Sequence, residues 1–225
     1  MPRVDKWACR FCGEEATNAP LCTDCRADLP WNTHCCPHCA LPGVNDAPCA
    51  ECLATAPPMD LTLAPFVYAA PINHLIQRFK YQRLLGDARW LADALAEQRR
   101  DLPVPLPDQL IPVPLYRWKL WDRGFNQAAV IARQVGKRLR IPVQLGGIGH
   151  RNTRLHQVGM DARARRRAVR GAFDVRLDLR DQHVALVDDV MTTGATIHEL
   201  ARAVRAAGAS RVEVWLLART PKGRR

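Results

Sequence analysis

Val184-Ala-Leu-Val-Asp-Asp-Val-Met-Thr-Thr-Gly-Ala-Thr196 decides how the rest of the chain is read. Val184–Val187 is an apolar run of strand length, and it leads straight into Asp188 and Asp189. An open α/β sheet binds ligands beyond the carboxyl ends of its strands, so a buried strand here would deliver two carboxylates to a binding crevice. Two adjacent carboxylates suit a sugar cis-diol, each accepting a hydrogen bond from one hydroxyl. They can also stabilise positive charge developing on a sugar ring. Thr192, Thr193, Gly194, Ala195 and Thr196 then offer backbone N–H groups, three hydroxyls and the start of a helix, all suited to phosphate. Gly194 permits close approach of the backbone. A strand followed by a polar turn and an N-cap Thr explains one Thr and one Asp, but not two acids followed by Thr-Thr-Gly-x-Thr. The acidic strand end of a P-loop NTPase is excluded, because no Gly-x-x-x-x-Gly-Lys-Ser/Thr occurs in the chain.

Outward from this stretch, strand and helix patterns alternate. Phe66–Ala70 and Leu110–Leu115 are strand-like, the latter kept short by Pro112 and Pro114. Leu84–Ala96 and Gln127–Leu139 have helical spacing. Ile197, Leu200, Val204 and Ala207 repeat as one helix face, with Gly208 at the C-cap position, and Val212–Ala218 is a last strand. This alternation predicts an α/β fold with a parallel sheet covered by helices.

The front of the chain reads differently. All nine cysteines lie within residues 9–52. Eight of them form Cys-x-x-Cys pairs: Cys9/Cys12, Cys22/Cys25, Cys36/Cys39 and Cys49/Cys52. Nine residues separate the first two pairs, and nine the last two, so one two-pair unit occurs twice. A Cys-x-x-Cys turn holds two thiolates at a spacing suited to tetrahedral zinc, and two turns close a four-cysteine structural site. Two Zn²⁺ would then supply folding free energy to a segment poor in large apolar side chains. Equal spacing favours pairing of consecutive knuckles, while a cross-braced arrangement would use the same eight thiolates. Cys35 is left over, and His34 and His38 read as exposed turn residues. A disulfide framework is not expected, because Met1–Cys12 has no apolar stretch of signal-peptide length. Ala54–Pro58 reads as a linker, which divides the chain into residues 1–56 and 57–225.

Charge follows the same division. Residues 1–58 carry four Lys/Arg against seven Asp/Glu, and the remainder 29 against 15. The basic surface therefore belongs to the larger part, as expected for phosphate-bearing partners. Leu61–Ile72 is too short and too broken by Pro to span a bilayer, so no membrane insertion and a cytoplasmic location are expected.

Residues 184–196 resemble the phosphoribosyl pyrophosphate (PRPP) motif of type I phosphoribosyltransferases. The resemblance implies that Asp188 and Asp189 hold the ribose 2- and 3-hydroxyls. Thr192, Thr193, Gly194, Ala195 and Thr196 would hold the 5-phosphate, and Mg²⁺ would bridge ribose hydroxyls and pyrophosphate. Pro112-Val-Pro-Leu-Tyr-Arg117, Arg123-Gly-Phe-Asn-Gln127, Gly171-Ala-Phe173 and the doubled cysteine module complete the pattern. As a whole the chain resembles the ComF (competence protein F/GntX-like) family. That resemblance implies a type I phosphoribosyltransferase-like domain behind a double zinc ribbon. For some members it implies a part in the uptake of single-stranded DNA, with other DNA-uptake proteins as partners of the zinc module.

Two basic stretches serve either of two functions. Tyr116–Phe125 interleaves Arg117, Lys119 and Arg123 with Trp118, Trp121 and Phe125. By resemblance, Arg117, Lys119 and Arg123 would cradle pyrophosphate. The same pattern suits single-stranded DNA, with cations on the backbone and aromatics on the bases; a helix with its aromatics in the core is the plain alternative. Arg151–Arg170, with seven Arg and one Asp, is either a closing catalytic loop, a DNA-backbone track or a solvated helix face. The chain is thus read either as a transferase acting on PRPP with an unspecified acceptor, or as a PRPP-binding protein that handles single-stranded DNA.

Overall fold

The computed structural model describes residues 6–17, 20–82, 85–151 and 171–222. Its centre is a parallel sheet. β3 (Leu61–Leu63), β9 (Arg211–Arg219), β8 (His183–Met191) and β5 (Gln109–Pro112) lie side by side in that order. β4 (Phe66–Val67) continues the β3 edge along β9, after the interruption at Ala64-Pro65. Two small antiparallel ribbons flank it: β1 (Lys6–Ala8) with β2 (Glu15–Thr17), and β6 (Ile148–His150) with β7 (Phe173–Val175).

Successive residues of a strand face opposite sides, and this sheet is apolar on both. Ala185, Val187, Trp215 and Leu217 face one core, built with α3 (Ile72–Gln82), α4 (Leu85–Arg100) and α6 (Gln127–Leu139). Val184, Leu186, Val212, Val214 and Leu216 face the other, built with α7 (Ala195–Ala206) through Ile197, Leu200, Ala201 and Val204. The sequence pattern expected helices on Leu84–Ala96 and Gln127–Leu139. The first proves longer at its C-terminal end, and the second has those bounds. The Phe66–Ala70 strand is cut to two residues. α3 was not expected, although Ile72, Leu75, Ile76 and Phe79 form a buried stripe at helical spacing.

The cysteine segment enters both cores. Cys9, Ala16, Leu21 and Leu29 pack with the α4 side, and Cys36, Cys39, Leu41 and Cys49 with the α7 side. Short helices α1 (Thr23–Ala27) and α2 (Ala50–Ala54) start within the second knuckle of each unit, with Cys22 and Cys49 as N-caps and Cys25 and Cys52 inside the helices. At the start of β9, Glu213 is fully buried and paired with the equally buried Arg99 of α4, Nε to Oε2 3.0 Å. The Trp215 indole N–H donates to the same oxygen at 2.8 Å. Arg99 also donates to the carbonyls of Val104 and Pro105, which fixes the turn after α4.

Candidate functional site

β8 runs further than its apolar stretch, because it is paired with β9 along its whole length, up to Met191 opposite Arg219. Its other neighbour stops early. β5 ends at Pro112, opposite Val187, and Pro114 follows two residues on. Proline cannot donate to a ladder, so the pairing closes with the Val113 N–H to the Val187 carbonyl at 2.9 Å. Residues 188–191 are therefore flanked by a strand on one side only. This leaves a crevice at the carboxyl end of the sheet, with Asp188 and Asp189 in it.

The two acids have different surroundings. Asp189 is buried, and its Oδ2 lies 2.9 Å from Lys80 Nζ of α3. Burial opposes the charge on Lys80, but Asp189 and then Asp188 outweigh it and hold Lys80 above its ordinary pKa. Among the described residues Asp188 has no such ion-pair partner. Desolvation and the neighbouring Asp189 charge raise its carboxyl to about 7, against the pull of Lys80 and Lys119. Asp188 Oδ1 accepts a hydrogen bond from the Asp189 N–H at 2.9 Å. A carboxyl raised by burial and by a neighbouring acid, next to a buried ion pair, is a common mark of a binding or catalytic centre.

Lys80 was not foreseen. Its signal was present: it stands four residues after Ile76 and eight after Ile72, on the buried stripe of α3, where a cation needs a reason.

Beyond Met191 the chain leaves the sheet. Thr192 and Thr193 are exposed, and Gly194 turns the chain into α7 with φ +75°, a left-handed conformation that favours glycine. A Cβ there would also come within 3.1 Å of His198 Nε2 and 3.2 Å of Met191 Sδ. The helix starts at Ala195, so Ala195 and Thr196 lie in its first turn rather than in a loop before it. Thr193 Oγ1 accepts from the Ala195 N–H at 3.5 Å. The N-terminus of a twelve-residue helix thus opens beside the acidic pair.

The basic-aromatic stretch is a short helix, α5 (Arg117–Arg123), closed by Gly124 at φ +76°. Trp121 is 90% exposed and Trp118 47%, so the alternative with both indoles in the core does not hold. Of the three cations, Lys119 is drawn in. Burial and the charges of Arg123 and Lys80 lower its pKa, while Asp188 and Asp189 act in the other direction. Arg123 lies over the Tyr81 ring at 5.4 Å and donates to Gln127 at 3.3 Å. Arg117 is exposed at the start of the helix. Phe125 packs on Phe79 of α3 at 5.6 Å, and Asn126 caps α6 by accepting from the Ala128 N–H at 3.0 Å. Tyr116 stacks on His150 of β6 at 3.6 Å, which ties α5 to the β6–β7 ribbon. That ribbon brackets residues 152–170, so nearly all of the Arg151–Arg170 stretch lies outside the described residues.

The eight paired cysteines form two groups, Cys9/Cys12/Cys22/Cys25 and Cys36/Cys39/Cys49/Cys52, each with its sulfurs within 4.8 Å of one another. Consecutive knuckles are paired, which settles the choice against cross-bracing. Tetrahedral zinc with Zn–S bonds of about 2.3 Å requires sulfur separations of about 3.8 Å. Cys12–Cys22 and Cys39–Cys49 both measure 3.7 Å, far beyond a disulfide bond. Backbone N–H groups of Cys12 and Cys22 draw the Cys9 thiol down to about 6, towards the thiolate a metal needs. The donor set therefore fits structural Zn²⁺ at both places. Cys35 belongs to neither group, and burial and Asp46 push its thiol up to about 11. His38 is half-buried rather than exposed, because its carbonyl and that of Pro37 accept hydrogen bonds from Thr62 of β3.

A parallel sheet with an acidic strand end, a glycine turn into a helix and two four-cysteine centres defines a phosphoribosyltransferase-type domain behind a double zinc ribbon. Residues 123–225 match the phosphoribosyl transferase domain model, and residues 2–53 the double zinc ribbon domain model. The DNA utilization protein YhgH of Escherichia coli O157:H7 is 33% identical over 205 residues, 89% of this chain and 90% of that one. Competence protein F of Haemophilus influenzae is 33% identical over 219 residues, 94% of this chain and 90% of that one. The chain belongs to the competence protein F (ComF) family. Among solved structures, a purine phosphoribosyltransferase from Pyrococcus horikoshii Ot3 aligns with 70% of this chain and 76% of its own, at 20% identity and a TM-score of 0.37. No described helix is long and apolar enough to cross a membrane.

Proposed function

We propose that this protein binds PRPP at the end of β8 and handles single-stranded DNA along α5, as a cytoplasmic component of DNA uptake and use. The PRPP half is carried by one observation: Asp188 and Asp189 stand where β5 stops, directly ahead of the Gly194 turn and the α7 N-terminus. In this reading Asp188 and Asp189 accept hydrogen bonds from the ribose hydroxyls, and Lys80, 2.9 Å from Asp189, holds that carboxyl in place. Thr192, Thr193, Gly194, Ala195 and Thr196 hold the 5-phosphate with backbone N–H groups and hydroxyls. Lys119 and Arg123 face the pyrophosphate, with Arg117 at the rim. Mg²⁺ would arrive with PRPP and neutralise phosphate charge, and Asp188 and Asp189 would be the hard oxygen donors of this site able to hold it.

The DNA half is supported by the names of the relatives and by Trp118 and Trp121, which are exposed beside Lys119 and Arg123. Exposed indoles stack on bases of any sequence, and adjacent cations follow the backbone. A transferase reading uses the same acidic pair to stabilise a ribose cation while the ribose phosphate passes to an acceptor base. The exposed indoles favour DNA handling, because a pyrophosphate cradle has no use for them.

Equilibrium binding on two variants tests the separation. Asp189→Asn should lose PRPP and keep single-stranded DNA, and Trp121→Ala should do the reverse. If either change abolished both activities in a folded protein, the two-surface reading would be wrong.

A further inference from the structure

Arg219 is the last residue of β9, and its side chain is folded inward at 7% exposure. Its guanidinium spans two parts of the molecule that the sequence keeps apart. Nε donates to the Cys39 carbonyl at 2.9 Å. Nη1 donates to the carbonyls of Met191 at 2.8 Å and Thr192 at 2.6 Å, and to that of Thr220 at 2.9 Å. Cys39 is a ligand of the second four-cysteine group, while Met191 and Thr192 lead into the turn at Gly194. A backbone hydrogen bond from the Thr220 N–H to the Met191 carbonyl, 3.1 Å, reinforces the same junction.

The chemistry explains why a cation is tolerated there. Zinc with four thiolates carries two net negative charges, so the occupied centre supplies a counter-charge to a guanidinium that water reaches poorly. The planar fork of Arg serves several carbonyls at fixed angles, which a Lys ammonium does not. Backbone hydrogen bonds close the Cys36–Ala40 turn, Ala40 N–H to the Cys36 carbonyl at 2.7 Å and Cys36 N–H to the Leu41 carbonyl at 2.9 Å; zinc would add the tie from this turn to Cys49 and Cys52 that keeps the Cys39 carbonyl against Arg219. The first four-cysteine group packs elsewhere, on α4, where Arg26 of α1 meets Glu97 at 3.1 Å.

We infer that Arg219 makes the second zinc centre a positioning element for the phosphate turn. Zinc at Cys36, Cys39, Cys49 and Cys52, and not zinc at the first group, then sets the geometry of residues 191–196. The inference rests on the reading of that turn as a phosphate holder and assigns it a means of regulation: loss of zinc from one centre disables ligand binding while the sheet stays folded. Coupling free energies are reciprocal, so PRPP must in turn retain this zinc.

Hydrogen exchange on the full-length, zinc-loaded protein is the test, with metal content measured alongside. Cys52→Ala and Arg219→Lys should each speed exchange of the 191–196 amides about tenfold or more and leave the Ala185–Val187 amides as protected as in the wild type. Cys12→Ala should leave the 191–196 amides unchanged. In the wild type, PRPP with Mg²⁺ should slow chelator extraction of one zinc of the two, and in Arg219→Lys with both zincs bound it should not. Equal exchange at 191–196 in Cys52→Ala and Cys12→Ala would overturn the inference, as would wild-type exchange in Arg219→Lys. If Cys52→Ala or Arg219→Lys fails to fold, the extraction rates in the wild type decide. Intact exchange coupling with no PRPP binding would sink the PRPP reading alone and leave the zinc coupling standing.

Discussion

Asp188→Asn removes a charge that the folded protein holds unfavourably. Desolvation by the crevice and the adjacent Asp189 raise the Asp188 carboxyl from an ordinary 3.8 to about 7. In the unfolded chain it titrates near the ordinary value, so between about pH 4 and pH 7 the native state binds the proton more tightly. Stability must therefore fall as pH rises through that window, and above about pH 7 the full penalty applies. At 1.36 kcal/mol per pH unit the penalty approaches about 4 kcal/mol. Water entering the crevice and the shared titration with Asp189 reduce what is observed, and about 1–3 kcal/mol is the expected gain for Asn at pH 8. For a chain of this size that is a rise in Tm of about 3–10 °C. The assay is thermal unfolding of both proteins from pH 4 to pH 8.5 in constant zinc. The gain should be full above about pH 7, shrink through pH 6 and vanish near pH 4, and the same variant should bind PRPP far more weakly. A gain that ignores pH, or a loss of stability at pH 8, would refute the electrostatic reasoning.

Other substitutions separate scaffold from site. Lys80→Met leaves Asp189 unpaired; since Lys80 retains 19% side-chain exposure, a loss of about 2–4 kcal/mol is expected in chemical denaturation. It should also move the pH dependence of PRPP binding upwards, because the acidic pair loses its cation. Arg99→Met removes the buried cation paired with Glu213 and the donor to the Val104 and Pro105 carbonyls, while Trp215, His183 and Arg211 stay against Glu213, and should cost about 2–4 kcal/mol without altering PRPP affinity in the protein that folds. Trp121→Ala, at a 90% exposed position, should change unfolding by no more than about 0.5 kcal/mol and weaken single-stranded DNA by about 1–3 kcal/mol, read by fluorescence anisotropy.

The sheet was legible because its strands are buried on both faces: Val184–Val187 and Val214–Ala218 are continuous apolar runs, with Glu213 the one polar residue just ahead of the second. The cysteine spacing announced two metal centres, since the same two-knuckle unit, with nine residues between its knuckles, occurs twice. Proximity across the chain was hidden. Lys80 meets Asp189 across 109 positions, and Arg219 meets Cys39 across 180. Nothing in a local pattern ties such residues together; the nearest signal is a cation standing where the period calls for an apolar side chain, as Lys80 does on α3 and Arg219 does at the end of β9. The division into a zinc module and a larger domain was drawn from the linker at Ala54–Pro58. The burial pattern shows why composition alone understates the contact: each four-cysteine group inserts apolar side chains into a different face of the sheet.

Calorimetric titration of PRPP with Mg²⁺ into the zinc-loaded protein tests the central reading most directly, with the Asp188→Ala/Asp189→Ala double variant as control. Saturable binding of one PRPP per chain, lost in a control that still folds and still holds two zincs, is the expected result. Absence of binding in the folded wild type, or equal binding in the control, would contradict the assignment of the β8 end as a PRPP site.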